Sequence, residues 1–138
     1  MLYEKMEEVR LWLLKASRDL MAAEADINYS PPLVEDALFH CQQAAEKSMK
    51  AFLTAHDSVF RRTHDLDELA IACESIDHSL VEVLGPARDL TVFAWEFRYP
   101  GDFAEPPLEE VQEYLALANR VFQTIVDRLP EDARHHTT

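Results

Sequence analysis

Glycine is almost missing: the chain has two in 138 residues. Tight β-hairpins and phosphate-cradling loops both depend on Gly at positive φ. A hairpin-built β fold, a P-loop and a glycine-rich dinucleotide site are therefore excluded. Cysteine is equally scarce. Cys41 and Cys73 stand far apart with no CxxC or zinc-like spacing, and both fall on apolar helical stripes. They read as reduced core thiols of a cytoplasmic protein. No run approaches the roughly 20 apolar residues that span a bilayer. The opening MLYEKMEEVRLWLLKASRDL carries charges throughout and does not read as a signal peptide. Basic residues are outnumbered, 13 against 26 acidic, for a net charge of -13. General duplex-DNA binding needs clustered Lys and Arg and is not expected, although one local basic site remains compatible with this balance.

What is present is a regular apolar period in a chain that is 48% hydrophobic. The length fits one domain, over about residues 1–130, with a tail at 131–138 that should fray. Leu2, Met6, Val9, Leu13, Ala16, Leu20, Ala23 and Ile27 repeat at three-four spacing and predict a helix over 2–27. Pro31-Pro32 stops it. Val34, Ala37, Leu38, Cys41, Ala45, Met49, Phe52 and Leu53 predict a second helix over about 33–56. Thr63 is a candidate N-cap for a third, about 64–77. A fourth stretch covers about 79–97. Gly85-Pro86 should break it into a short turn and a main helix from Pro86. The last helix starts after Pro106-Pro107 and is ended by Pro130. The fold class is all-α: an antiparallel up-and-down bundle of four to five helices.

Three places can carry chemistry. His40, Gln43, Lys47 and Lys50 are spaced three, four and three apart, so they share one face of the second helix. An imidazole, an amide and two cations on one strip can hold a phosphate or nucleotide. On composition the strip reads first as a solvated face with a Glu46–Lys50 pair at i,i+4. Arg98 and Tyr99 close the fourth helical stretch; there a cation complements the dipole, while guanidinium plus phenol can also hold a phosphate and stack a base. Arg61-Arg62-Thr63-His64-Asp65 is either a capped helix start or a basic loop beside an imidazole. HExxH, GxSxG and the di-metal ExxH spacing are missing, and no metal or cofactor is expected. Trp12 and Leu11 widen the first helix's stripe, which points to a partner chain, most simply a two-fold dimer.

Phe39-His40-Cys41-Gln42-Gln43-Ala44-Ala45-Glu46-Lys47-Ser48-Met49-Lys50-Ala51-Phe52-Leu53 resembles the second-helix signature of HEPN domains. Arg62-Thr63-His64-Asp65-Leu66 resembles the start of their third helix, and Phe97-Arg98-Tyr99-Pro100 the end of their fourth. Ala16, Arg18, Asp19, Leu20 and Ala23 are similar to the first. Order and spacing agree across about residues 8–129. The resemblance implies a helical bundle, usually dimeric, associated with nucleotide or RNA binding. Many small prokaryotic members act with a minimal nucleotidyltransferase in a toxin–antitoxin-like pair. Several branches are metal-independent ribonucleases with an Arg-x4–6-His motif. Here Arg98 is present, but Phe103, Ala104 and Glu105 occupy the positions for His.

Binding is thus expected ahead of catalysis, with Arg98, Tyr99, Lys47, Lys50, His64, Gln43 and Arg62 as nucleotide- or RNA-binding candidates. The competing readings are a metal-independent ribonuclease with a rearranged site, and a structural module that only docks another protein. In the last, Asp102, Glu105, Glu109, Glu110 and Glu113 would form part of the docking face.

Overall fold

The structure, a computed structural model, describes residues 2–94 and 105–134. The described residues form helices and no strand: α1 (Leu2–Asn28), α2 (Val34–Ala55), α3 (Leu66–Ile76), α4 (Val81–Ala87), α5 (Leu108–Asp127) and α6 (Glu131–Arg134). Two 3-10 segments, His78–Leu80 and Arg88–Ala94, flank α4. The molecule is the all-α bundle that the apolar period implies.

α1 and α2 form an antiparallel hairpin. Its register is read from the pairs across it: Lys5 meets Asp57, Asp19 meets Lys47, and Asp19 also meets His40. α2 is the central helix. α1, α3 and α5 all pack on it, and 15 of its residues are buried, so it has almost no solvated face. Alanines at 16 and 23 of α1 and at 37, 44, 45 and 51 of α2 have no exposed surface; such small side chains let the packed helices approach closely. Leu13, Leu38, Met49, Phe52 and Leu53 fill the space between them. One hydrophobic cluster takes in side chains from α1 through α6.

The ends of elements depart from the sequence expectation in three places. Asp65, not Thr63, caps α3: its carboxylate accepts from the Asp67 amide at 2.9 Å. Thr63 instead receives the Asp65 amide at 3.0 Å, so the helix begins two residues late. Gly85-Pro86 does not break the chain either. Pro86 sits inside α4, and the backbone then tightens to 3-10 geometry from Arg88. Proline has the helical φ already, and at this position it forfeits one hydrogen bond without ending the coil. The first four residues of the expected tail form α6. The Pro130 carbonyl accepts from Ala133, Ala133 is buried, and Arg10 on α1 donates to the Asp132 carbonyl at 2.7 Å.

α2 ends in a Schellman motif. The Ser58 amide reaches back to the Leu53 carbonyl and the Asp57 amide to the Thr54 carbonyl, with Asp57 left-handed at φ 56°. Aspartate tolerates this conformation better than most residues, and its carboxylate is held by Lys5 at 3.1 Å. The reversal sends the following loop back across the end of α2, placing Phe60 against Trp12 of α1, with ring centroids 6.4 Å apart.

Candidate functional site

Because α2 is covered on nearly every side, its polar residues cannot be a solvated face. Gln42, Gln43, Glu46 and Lys50 are buried and His40 and Lys47 partly so, and such groups must find partners inside. They do so in two groups. In the first, Asp19 of α1 is 7% exposed and is held from both sides: Lys47 Nζ donates to Oδ2 at 2.6 Å and His40 Nδ1 donates to Oδ1 at 2.7 Å. The hydrogen bond to Asp19 raises the His40 pKa above the usual histidine range, against the opposing effect of burial.

Glu46 is the centre of the second group. It is 3% exposed, and four side chains converge on its carboxylate. Lys50 Nζ donates at 2.9 Å, Gln42 Nε2 at 3.1 Å, Gln43 Nε2 at 3.4 Å and His64 Nδ1 at 2.8 Å. Gln42 Nε2 also donates to the His64 carbonyl at 3.1 Å, which ties the loop before α3 to the middle of α2. The His64 ring is thereby oriented by a buried carboxylate while its side chain remains 54% exposed.

Lys50 faces a cleft as well as Glu46. Its ammonium lies 5.4 Å from the Trp12 ring centroid and 5.9 Å from that of Phe60. Both distances are within cation–π range. The cleft encloses about 710 Å³ between α1, the end of α2 and the loop that follows. Trp12, Lys50, Phe60 and Arg62 line it, together with Lys5, Glu4, Glu8 and Asp57. Cations and carboxylates are balanced there, three of each, so the cleft is amphoteric. Its distinguishing content is a pair of aromatic rings with a lysine and an arginine beside them. A planar base and an anionic group together match that content.

The sequence candidates therefore separate. Lys50 and Arg62 share the cleft, and His64 adjoins it through Glu46. Lys47 is committed to Asp19 and Gln43 to Gln42 and Glu46. Arg61 turns away to Glu68 at 2.7 Å. Arg98 and Tyr99 lie outside the described residues, as does Asp102. Glu105, Glu109, Glu110 and Glu113 are all exposed. Trp12 and Phe60 were not singled out as binding residues. Trp12 appears in the sequence only as a widening of the α1 stripe, and Phe60 sits in a loop with no period. Nothing in the spacing announces that the two rings meet.

A protein-family model described as "HEPN domain" matches residues 9–129, which takes in α1 from Val9, all of α2 to α5, and the loops between them. No curated protein and no solved structure matches the chain. No described helix is long and apolar enough to cross a membrane.

Proposed function

The chain belongs to the HEPN domain family, and on that premise we propose that it binds a nucleotide or RNA in the cleft formed by Trp12, Lys50, Phe60 and Arg62. The observation that carries this reading is the placement of a lysine ammonium over two aromatic rings in the wall of an open cleft of about 710 Å³. Aromatic faces accept any base by stacking, and the Arg62 guanidinium supplies a planar anion-binding fork. Arg98 and Tyr99 are proposed as further binding positions on the strength of their match to the family's fourth helix.

Titration with adenosine triphosphate and with a short oligoribonucleotide tests the proposal. Trp12 fluorescence is the readout, in a Trp95→Phe background. Base stacking on an aromatic side chain is worth about 1–3 kcal/mol. Phe60→Ala should therefore weaken binding about 5- to 150-fold. Arg62→Ala and Arg98→Ala should each weaken it too. Equal affinity across the wild type and all three variants overturns the reading.

The same reading includes a homodimer that partners a minimal nucleotidyltransferase in a toxin–antitoxin-like pair. Leu11 at 53% and Met21 at 67% exposure on α1 support an apolar contact with another chain. The acidic start of α5 supports a docking face for a basic partner surface. Co-purification with a co-expressed minimal nucleotidyltransferase should succeed for the wild type and fail on charge reversal at Glu109, Glu110 and Glu113. Retention of the partner removes this face from the interface.

One geometry favours a second reading, a metal-independent ribonuclease. Glu46 and His64 form a carboxylate–imidazole pair whose outer nitrogen can meet solvent. Such a pair can move a proton to or from a ribose hydroxyl or leaving oxygen. It predicts RNA cleavage that His64→Ala abolishes. A folded wild type that is inert toward RNA at high concentration eliminates it.

A further inference from the structure

At the turn end of the α1–α2 hairpin, remote in sequence from the residues that line the cleft, three metal-ligating side chains converge. Asp26 comes from the last turn of α1. Asp36 comes from the first turn of α2, and His40 stands one turn later on the same face. One ligand atom from each lies within 4.8 Å of the others. His40 Nε2 is 3.4 Å from Asp36 Oδ2. We propose that Asp26, Asp36 and His40 bind one divalent first-row transition-metal ion, of which zinc is the representative case.

Four observations support this. The first is spacing. Residues at i and i+4 on a helix present two ligands to one ion, as the paired histidines of helical zinc motifs do. The second is distance. Two ligands bound at about 2.0–2.1 Å to a tetrahedral ion lie roughly 3.3 Å apart. Asp36 and His40 are already that far apart, and Asp26 needs only side-chain rotation to join them.

The third is the surroundings of His40. Its Nδ1 is committed to Asp19 at 2.7 Å, and Asp19 is fixed in turn by Lys47. A carboxylate that holds the Nδ1 proton fixes the ring, so that an ion displacing the Nε2 proton meets that nitrogen's lone pair already oriented. The fourth is Asp26 itself. Its Oδ2 is closed to solvent and receives no N–H donor from the described residues; the side chain's hydrogen-bonding neighbour is a second carboxyl, Asp36. A buried carboxylate oxygen beside a second carboxylate, without a donor, is costly unless a proton or a cation relieves it. Asp36 is 56% exposed, which leaves a path for the ion and for a completing water. Two carboxylates and one imidazole suit zinc, manganese or cobalt better than the soft, thiolate-preferring metals.

The test titrates cobalt(II) into the full chain and follows its visible d–d absorption. Zinc is then added as competitor. All proteins carry His135→Ala and His136→Ala, so that the terminal histidines contribute nothing. One equivalent of cobalt should bind and be displaced by zinc. Asp26→Asn and His40→Gln should each weaken binding at least about tenfold. Asp26→Asn is nearly isosteric and removes the crowding, so it retains the fold, which circular dichroism verifies. Glu35→Gln, an exposed neighbour on the first turn of α2, should bind as the parent does.

Several results overturn the proposal. These are no binding by the parent at millimolar cobalt, unchanged affinity in Asp26→Asn, and an equal loss in Glu35→Gln, which marks diffuse electrostatic attraction. A thiolate-to-cobalt charge-transfer band does so as well, since it would place the ion on a cysteine.

Discussion

Removing Lys50 tests whether the polar centre of α2 is a buried ion pair. The Lys50 side chain is 9% exposed and that of Glu46 is 4% exposed, with 2.9 Å between their charged atoms. An exposed i,i+4 pair is worth a few tenths of a kcal/mol. Truncating one member of a buried pair leaves an uncompensated charge and costs about 3–5 kcal/mol. Glu46 would keep three donors, from Gln42, Gln43 and His64, which moves the expectation to the lower end. Lys50→Met preserves the aliphatic packing against Trp12 and Phe60 while deleting the charge. It should cost about 3 kcal/mol, a fall in Tm of roughly 10 °C for a domain of this size. The double variant Lys50→Met/Glu46→Gln removes both charges and should recover most of the loss. Urea denaturation followed by far-ultraviolet circular dichroism measures all three proteins. A loss under about 1 kcal/mol in Lys50→Met, or no recovery in the double variant, refutes the buried-pair reasoning.

Other outcomes follow from the same structure. Burial, followed by hydrogen bonding and repulsion from Asp36, pushes the Asp26 carboxyl up to about 6. A raised folded pKa gives stability that is complete below the unfolded value near 3.8 and is lost as pH rises through about 6. With chelator present, Asp26→Asn should therefore gain on the wild type in urea midpoint between pH 4 and 7, and a constant difference contradicts this. His40 is raised by Asp19, so its contribution is full below 6.5 and declines above it. His40→Gln should flatten the wild-type decline on the alkaline side of that value. Asp65→Ala deletes the α3 N-cap and should cost about 1 kcal/mol in the same assay, more than Thr63→Ala. Burial pushes the Cys41 and Cys73 thiols up to about 12. Neither should react with an aromatic disulfide reagent until the protein is unfolded, and rapid native labelling would contradict their placement.

The helices were legible because burial of one face imposes a three-four period on the chain. Met6 through Ile27 and Val34 through Leu53 are buried where that period puts them. The stripe ends were not legible: Leu2, Ile76 and Leu108 continue the pattern but are exposed, each standing at the very end of its helix. The α3 boundary was misplaced for a local reason. Thr63 and Asp65 are both good caps, and the choice between them depends on which amides the loop leaves unpaired.

The candidate site was legible only in part. Sequence spacing put His40, Gln43, Lys47 and Lys50 on one face, but a period within one helix says nothing about what lies opposite. α1 lies against that face, and its Asp19 takes His40 and Lys47 out of reach of a ligand at the cleft. Glu46, from the same helix, holds Gln43 and shares Lys50 between the interior and the cleft. The meeting of Trp12 with Phe60 likewise spans helix and loop, and that of Asp26 with Asp36 and His40 spans two helices.

The sequence alone determined that this chain is all-α and which residues of α1 and α2 form most of the buried stripe. Those features depend on local periodicity and composition, which every residue's immediate neighbours reveal. Tertiary structure alone decided that the polar strip of α2 is buried, that Lys50 rather than Lys47 faces the cleft, and that two aspartates close on one histidine. Those outcomes depend on pairs separated by ten to fifty residues, where the partner is chosen by helix packing and by the cost of leaving a buried charge unpaired.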